Sequence, residues 1–126
     1  APRPEAPRPR PAPRPRASVP TLTLDQALEM QYALIAEYTK EDFQERLQKV
    51  WSTSDPVLRI KLRQDLCLPI QGPIIKRFGF EPSRKGVQQT VNLFMTAEFR
   101  ENPRVMLNNS IMKQLTDPSI QDWTST

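Results

Sequence analysis

The sequence has no histidine and only one cysteine, Cys67, among its 126 residues. Histidine is the side chain that most often acts as a general base or a metal ligand at neutral pH. A single cysteine cannot form an internal disulfide, and without histidine it cannot complete a zinc site. These absences exclude Ser-His-Asp and Cys-His hydrolases. We therefore expect a protein that is not an enzyme, with no catalytic residue, no cofactor and no metal ion.

Glycine and long apolar runs are also scarce. The chain contains three glycines, and no apolar run approaches the roughly 20 residues that span a bilayer. The alternation of apolar and polar residues that is typical of strands is missing. The length suits one domain and is too short for two separate cores. We predict one compact all-α domain of five or six short helices, without membrane insertion.

Positive charge is concentrated at the start of the chain, in a segment over residues 1–20 that we call the arm. The chain has 18 basic and 14 acidic residues, and the arm accounts for the whole excess, so residues 17–126 are neutral overall. The arm has seven prolines among its first 16 residues and no large apolar residue there, which predicts an extended, disordered polyproline segment. Its arginines are the expected contacts to an acidic partner surface or to RNA: Arg3, Arg8, Arg10, Arg14 and Arg16.

Two other interpretations of the arm stay open. The same composition would serve as a solubilising linker. Arginine enrichment with few acids is also typical of an organelle presequence, although the density of proline disfavours the amphipathic helix that such peptides form. This composition leaves organelle import open as the alternative to a location in the cytoplasm or with the cytoskeleton or cilia.

Residues 21–118 carry helix signals throughout and are the predicted helical domain. Thr23 and Gln26 have the spacing of a capping box, in which each side chain satisfies a backbone amide of the other. Further start and stop signals follow along the chain at Thr39 with Asp42, Asp55-Pro56, Ser83, Asn102-Pro103 and Asp117-Pro118.

Apolar residues at helical spacing predict the helix faces that turn towards the core. Three such faces are Leu58, Leu62, Leu66 and Leu68; Val87, Val91, Phe94 and Met95; and Leu107, Ile111 and Leu115. Pro69 is expected to limit or kink its helix, and Gly72-Pro73 to begin a short new one. Gly79 should end that helix in the left-handed conformation, so that Phe80 contacts Ile75 in a Schellman cap.

Candidate chemistry is sparse. Glu41, Asp42 and Glu45 cluster at a predicted helix start, where negative charge favours the helix dipole. Asp65 and two leucines next to Cys67 should raise the pKa of the thiol and make it inert. A solvated charged turn is a better interpretation than a phosphate site for four cations around Gly79, because an acid lies among them: Lys76, Arg77, Arg84 and Lys85.

Two tryptophans are candidate partner anchors. Trp51 lies at a predicted helix end before a polar loop, and Trp123 lies in the polar tail over residues 119–126. Tryptophan is enriched among the residues that dominate binding energy at interfaces.

Three motifs carry a resemblance to a known family. They are Leu68-Pro69, Ile75-Lys76-Arg77-Phe78-Gly79-Phe80 and Gly86-Val87. Their order resembles the protein C-ten family, which has a Leu-Pro, then Ile-Lys, a variable residue, an aromatic residue and Gly-Phe, and then a Gly-Val that opens the next helix. Leu22, Gln26-Ala27 and the helix through Tyr38 are similar to the family's opening helix, and Asp117-Pro118 falls near the end of its last one.

This resemblance covers roughly residues 21–118 and departs from the family in two places. The segment between Leu-Pro and Ile-Lys is about one helical turn shorter, with Gly72-Pro73 in place of continuous helix, and the arm has no counterpart. What the resemblance implies is a small helical intracellular protein without established enzymatic activity. It supplies no catalytic residues.

Together these features predict a non-enzymatic assembly subunit. Its helical domain would dock on a larger complex by apolar and aromatic surface, and its arm would lie along an acidic partner. The alternative is an RNA-associated accessory subunit, for instance of a ribosome, with the arm between phosphates. No small-molecule substrate is expected.

Overall fold

Six α-helices make up the part of the chain that the computed structural model describes, residues 19–118, and this part contains no strand. The helices are α1 (Leu24–Tyr38), α2 (Glu41–Trp51), α3 (Pro56–Lys76), α4 (Arg84–Phe94), α5 (Ala97–Arg100) and α6 (Pro103–Thr116). The prediction of an all-α domain is confirmed for these residues.

Most helices begin at the residues that the sequence indicates. Thr23 forms the predicted capping box: its hydroxyl accepts from the Gln26 amide at 3.1 Å, and the Gln26 side chain accepts from the Thr23 amide at 2.9 Å. Three other predicted N-caps, Asp55, Ser83 and Asn102, also accept from first-turn amides. These caps satisfy backbone donors that have no partner inside the helix.

Thr39 and Asp42 repeat the spacing of a capping box, which left open whether Thr39 ends one helix or begins the next; the structure places Thr39 at the end of α1. Lys40 is the N-cap of α2 and makes no side-chain cap bond. The Thr39 hydroxyl instead donates to the Ala36 carbonyl at 2.9 Å, because Thr39 closes the last turn of α1. A threonine at a helix end bonds either to the helix behind it or to the one ahead, and short-range spacing does not distinguish the two.

Helix α3 runs on through Pro69, Gly72 and Pro73, so Pro69 does not limit the helix, and the short new helix predicted to begin at Gly72-Pro73 was wrong. A proline inside a helix costs about 3 kcal/mol relative to alanine. Both prolines are exposed, whereas the buried residues of this helix lie before, between and after them: Cys67, Gly72, Ile74 and Ile75. Because one core holds both segments, tertiary packing outweighs the local cost.

The end of α3 agrees with the predicted Schellman cap. Gly79 has φ +96°, in the region that favours glycine. Its amide donates to the Lys76 carbonyl at 3.0 Å, and the Phe80 amide donates to the Ile75 carbonyl at 3.2 Å. Phe80 and Ile75 are both almost completely buried, so the cap also fixes the chain as it leaves α3.

A buried polar network joins α1 to α6. Gln31 is completely buried, and its Nε2 donates to the Val105 carbonyl at 3.1 Å and to Asn109 Oδ1 at 2.9 Å. Its Oε1 accepts from Asn108 Nδ2 at 3.0 Å. Every hydrogen-bonding group of the Gln31 amide is therefore paired, which is the condition for burying it at low cost.

Several residues of the predicted core faces lie at the surface instead. Leu107 is exposed on α6 because Val105 and Asn108 turn towards α1 in its place. On α4, Phe94 is buried, but Val91 and Met95 are exposed. The predicted helix over α4 also ends early, at Phe94, and the separate α5 brings Phe99 to 5.8 Å from the Phe94 ring.

Candidate partner-binding surface

Helix α3 divides into two halves with different surroundings. Its four buried residues all lie at Cys67 or beyond, so residues 56–66, which we call the α3 amino half, include none. Val57 is 76% exposed and Ile60 is 54% exposed. Leu58, expected in the core, is exposed as well. Leu62 and Leu66 are partly buried, so the domain covers one side of this segment and leaves its other apolar residues exposed. Exposed apolar residues that lie together are typical of an interaction site.

Charge is segregated within the neutral domain. Residues 56–85 hold seven cations and two acids, whereas residues 24–51 hold six acids and three cations. Arg59, Lys61 and Arg63 lie in the α3 amino half among its exposed apolar residues. The helical domain therefore has its own cationic region, in addition to the arm.

An open cavity of about 280 Å³ lies beside the α3 amino half. It is lined by Trp51, Pro56, Arg59, Ile60, Arg63 and Asp117. The Arg59 guanidinium is held in place, because its Nε and Nη2 donate to the Thr53 carbonyl at 3.1 and 2.7 Å. It also lies 5.7 Å from the centre of the Trp51 ring, within cation–π distance.

Trp51, one of the two predicted anchors, is a partly buried wall of this cavity and packs against the core. Its Nε1 is buried and has no hydrogen-bond acceptor among residues 19–118. A buried donor left unpaired costs about 1–3 kcal/mol. The other candidate contacts, Trp123 and the arm arginines Arg3, Arg8, Arg10, Arg14 and Arg16, lie outside the described residues.

Sequence reasoning missed Arg59 and Arg63 as parts of this site. The signal was present in the alternation of apolar and basic residues from Val57 to Arg63. The helical spacing of the leucines, including Leu58 and Leu62, predicted a core face for this segment instead. Only the position of α3 relative to the other helices shows that the domain leaves this face uncovered.

The acidic cluster of α2 has a structural setting. Glu41 and Asp42 lie in the first turn of the helix, where they complement its dipole. Asp42 pairs with Arg46 at 3.3 Å, and both side chains are exposed. A second open cavity, of about 360 Å³, lies between this region and α3, and its lining mixes acids and cations with Phe43, Leu66 and Pro69.

Cys67 is buried, and burial raises the pKa of its thiol to about 11, although the Arg63 charge opposes this. The predicted effect of apolar surroundings is therefore confirmed. Asp65 is not a cause of the shift, because its carboxylate turns outwards to Lys61, at 3.2 Å, and to Arg84. The hydrogen bond from Lys61 is the main cause that lowers the pKa of Asp65.

The four cations around Gly79 do not form a common site. Arg84 pairs with Asp65, and the other three are exposed: Lys76, Arg77 and Lys85. At the start of α4, the Gly86 amide already donates to the Ser83 hydroxyl at 3.3 Å, and that hydroxyl donates to the Glu81 carboxylate. This arrangement supports the interpretation as a solvated charged turn.

Two further properties concern the described part of the chain alone. Within residues 19–118, no helix is both long enough and apolar enough to cross a membrane. In the same range, no three acidic or cysteine side chains gather where they could hold a metal ion.

Comparison with protein-family models, curated proteins and solved structures gives no significant match to this chain. The resemblance to the protein C-ten family therefore stays a prediction from the motifs.

Proposed function

We propose that the protein is a non-enzymatic assembly protein whose helical domain docks on a partner protein through the α3 amino half. The observation that carries this proposal is the exposure of Val57, Leu58 and Ile60 on a helix segment that has no buried residue. Covering a valine or isoleucine side chain fully contributes about 1.5–3 kcal/mol. A partner that covers Val57 and Ile60 would gain a substantial part of that energy.

The positions of the groups with raised pKa also favour a binding role. Burial raises the pKa of Tyr38 and of Cys67, but both belong to the hydrophobic core. Neither residue lines one of the two cavities described above. Catalytic sites usually place such perturbed groups in a cleft, where a substrate can reach them.

The arm adds attraction at longer range in this proposal. Its arginines would draw the protein to an anionic partner, and the domain would then supply the specific contact. Attraction of this kind is screened within about 8–10 Å at physiological salt, so binding should weaken as salt rises.

Co-purification of partners with the tagged full chain tests the proposal. Ile60→Asp should remove the partner, whereas Val91→Asp, at a site of similar exposure (48%) on α4, should leave it. Replacing the five arm arginines with glutamine should lower the amount of partner recovered, and most strongly at low salt, where the attraction by the arm is screened least. The same recovery with Ile60→Asp as with wild type would contradict docking through α3. Recovery of RNA alone, abolished by the arginine replacements, would instead support the RNA-associated alternative.

A further inference from the structure

The cations of the α3 amino half differ in how far they are already neutralised. Lys61 shares its charge with Asp65, the one acid of this segment, and Arg84 also pairs with that carboxylate. Arg59 and Arg63 point instead to the cavity beside Trp51, where Asp117 is the single acid in the lining. Cationic charge therefore dominates the cavity and favours an anionic ligand.

The fixed position of Arg59 suits it to recognise a carboxylate. Its Nε and Nη2 are engaged by the Thr53 carbonyl, whereas its Nη1 has no hydrogen bond within residues 19–118. A guanidinium that is already held in place loses less side-chain entropy on binding than a free one. Hydrogen bonds to a charged partner are also stronger than neutral ones.

Ile60 links the apolar and cationic parts of this surface. It lies three residues after Val57 and three before Arg63, so it neighbours each of them on the helix surface, and it lines the cavity together with Arg59 and Arg63. A ligand with carboxylates alone would leave Val57 and Ile60 uncovered. The matching ligand has carboxylates next to a large apolar side chain.

We propose that the α3 amino half binds an acidic peptide segment of a partner protein, with carboxylates at Arg59 and Arg63 and an apolar side chain over Val57 and Ile60. This inference rests on the proposed function and gives the partner its chemistry. RNA fits less well because phosphates gain nothing from the exposed valine and isoleucine. A second copy of this surface would place like charges opposite each other.

Fluorescence anisotropy with a labelled synthetic peptide of glutamate and leucine at helical spacing tests this inference on the full chain. Arg63→Glu and Ile60→Asp should each weaken binding by about tenfold or more, the effect of losing roughly 1.4 kcal/mol. The matched controls, Arg46→Glu on α2 and Val91→Asp on α4, should bind as wild type does. Val91 matches Ile60 in exposure, and Arg46 is an arginine on another helix, more exposed than the partly buried Arg63.

Three outcomes would overturn the inference. One is equal binding of a peptide with lysine in place of glutamate. Another is an equal loss of affinity in the control variants. The third is binding of the acidic peptide only after Trp123→Ser, which would make the chain's own segment 119–126, with its Ile120, Asp122 and Trp123, the occupant of this surface.

The inference and the proposed function can fail separately. In one case the acidic peptide does not bind and Arg63→Glu leaves co-purification unchanged, but Ile60→Asp still removes the co-purified partner. The partner then docks on the α3 amino half by apolar contact, and only its acidic character is refuted. If Ile60→Asp also leaves co-purification unchanged, the proposed function itself fails.

Discussion

Gly86, at the start of α4, is the position where one added methyl group should have the clearest effect. A Cβ there would lie 1.8 Å from the Glu81 carbonyl oxygen, a backbone atom that cannot move without displacing the turn. Gly86→Ala should therefore lower the free energy of unfolding by about 1–3 kcal/mol, the usual cost of overpacking. Urea denaturation of the variant and wild type measures this difference.

The control for this prediction lies two residues further along α4. Gln88 is exposed, and Gln88→Ala should change the free energy of unfolding by less than about 0.5 kcal/mol. A Gly86→Ala variant as stable as wild type would show that the turn before α4 has space for the methyl group.

At the residue scale, the sequence predicts what depends on near neighbours. The capping box at Thr23 and the left-handed Gly79 each depend on residues within a few positions, and both are confirmed. Gln31, by contrast, is one polar residue on the otherwise apolar face of α1 formed by Ala27, Leu34 and Tyr38. Its partner Asn108 is 77 residues away, so no local pattern could reveal the pairing.

At the scale of one helix, α3 should become more stable when its first internal proline is replaced. Pro69 is exposed, and it contributes no backbone amide to the helix. Pro69→Ala restores one hydrogen bond with little loss of packing. We expect the free energy of unfolding to rise by about 1–3 kcal/mol, measured by urea denaturation together with the melting temperature.

The alternative outcome of the Pro69→Ala experiment is equally informative. Unchanged or lower stability would mean that the proline ring contributes through packing against Leu66 and Phe43, which line the same cavity. Pro103→Ala is the matched control, because Pro103 is the first residue of α6, where its missing amide has no partner in any case. The control should gain nothing from a restored hydrogen bond.

The prolines of α3 also explain why helix breaks and core faces were harder to predict than helix starts. A proline favours a break locally, but Cys67 on one side and Ile74 and Ile75 on the other lie in the same core. Likewise, periodicity assigned Leu58 and Leu107 to buried faces, but it does not show which side of each helix the other helices cover. The candidate site on α3 depends on that packing, so the sequence alone did not indicate it.

For the molecule as a whole, net charge conceals the feature that matters for binding. The acidic α1–α2 region and the cationic region over residues 56–85 cancel in the total, so the net charge of residues 17–126 is zero. With the arm, the chain has two separate cationic regions, one within the folded domain. A salt dependence that survives replacement of the arm arginines would therefore report on α3.

Stability of the whole domain should fall in alkaline solution because burial holds protons on two core groups. Burial raises the pKa of the Cys67 thiol from 9.0 to about 11 and raises that of the Tyr38 phenol as well. From pH 9 to pH 11 the folded state keeps the thiol proton, whereas the unfolded chain releases it, so the free energy of unfolding decreases as pH rises. Below pH 9 the thiol adds no pH dependence, because it is protonated in both states.

The Cys67→Ala variant separates the thiol from the phenol in this response. Urea denaturation across the same pH range should show that the free energy of unfolding decreases less steeply with pH for the variant than for wild type. The slopes against pH are compared, rather than the free energies themselves, because the substitution also changes packing. Tyr38 still titrates in the variant, so part of the decrease should persist. Parallel curves for the two proteins would show that the thiol ionises as readily in the folded state as in the unfolded chain, and would place Cys67 in contact with water.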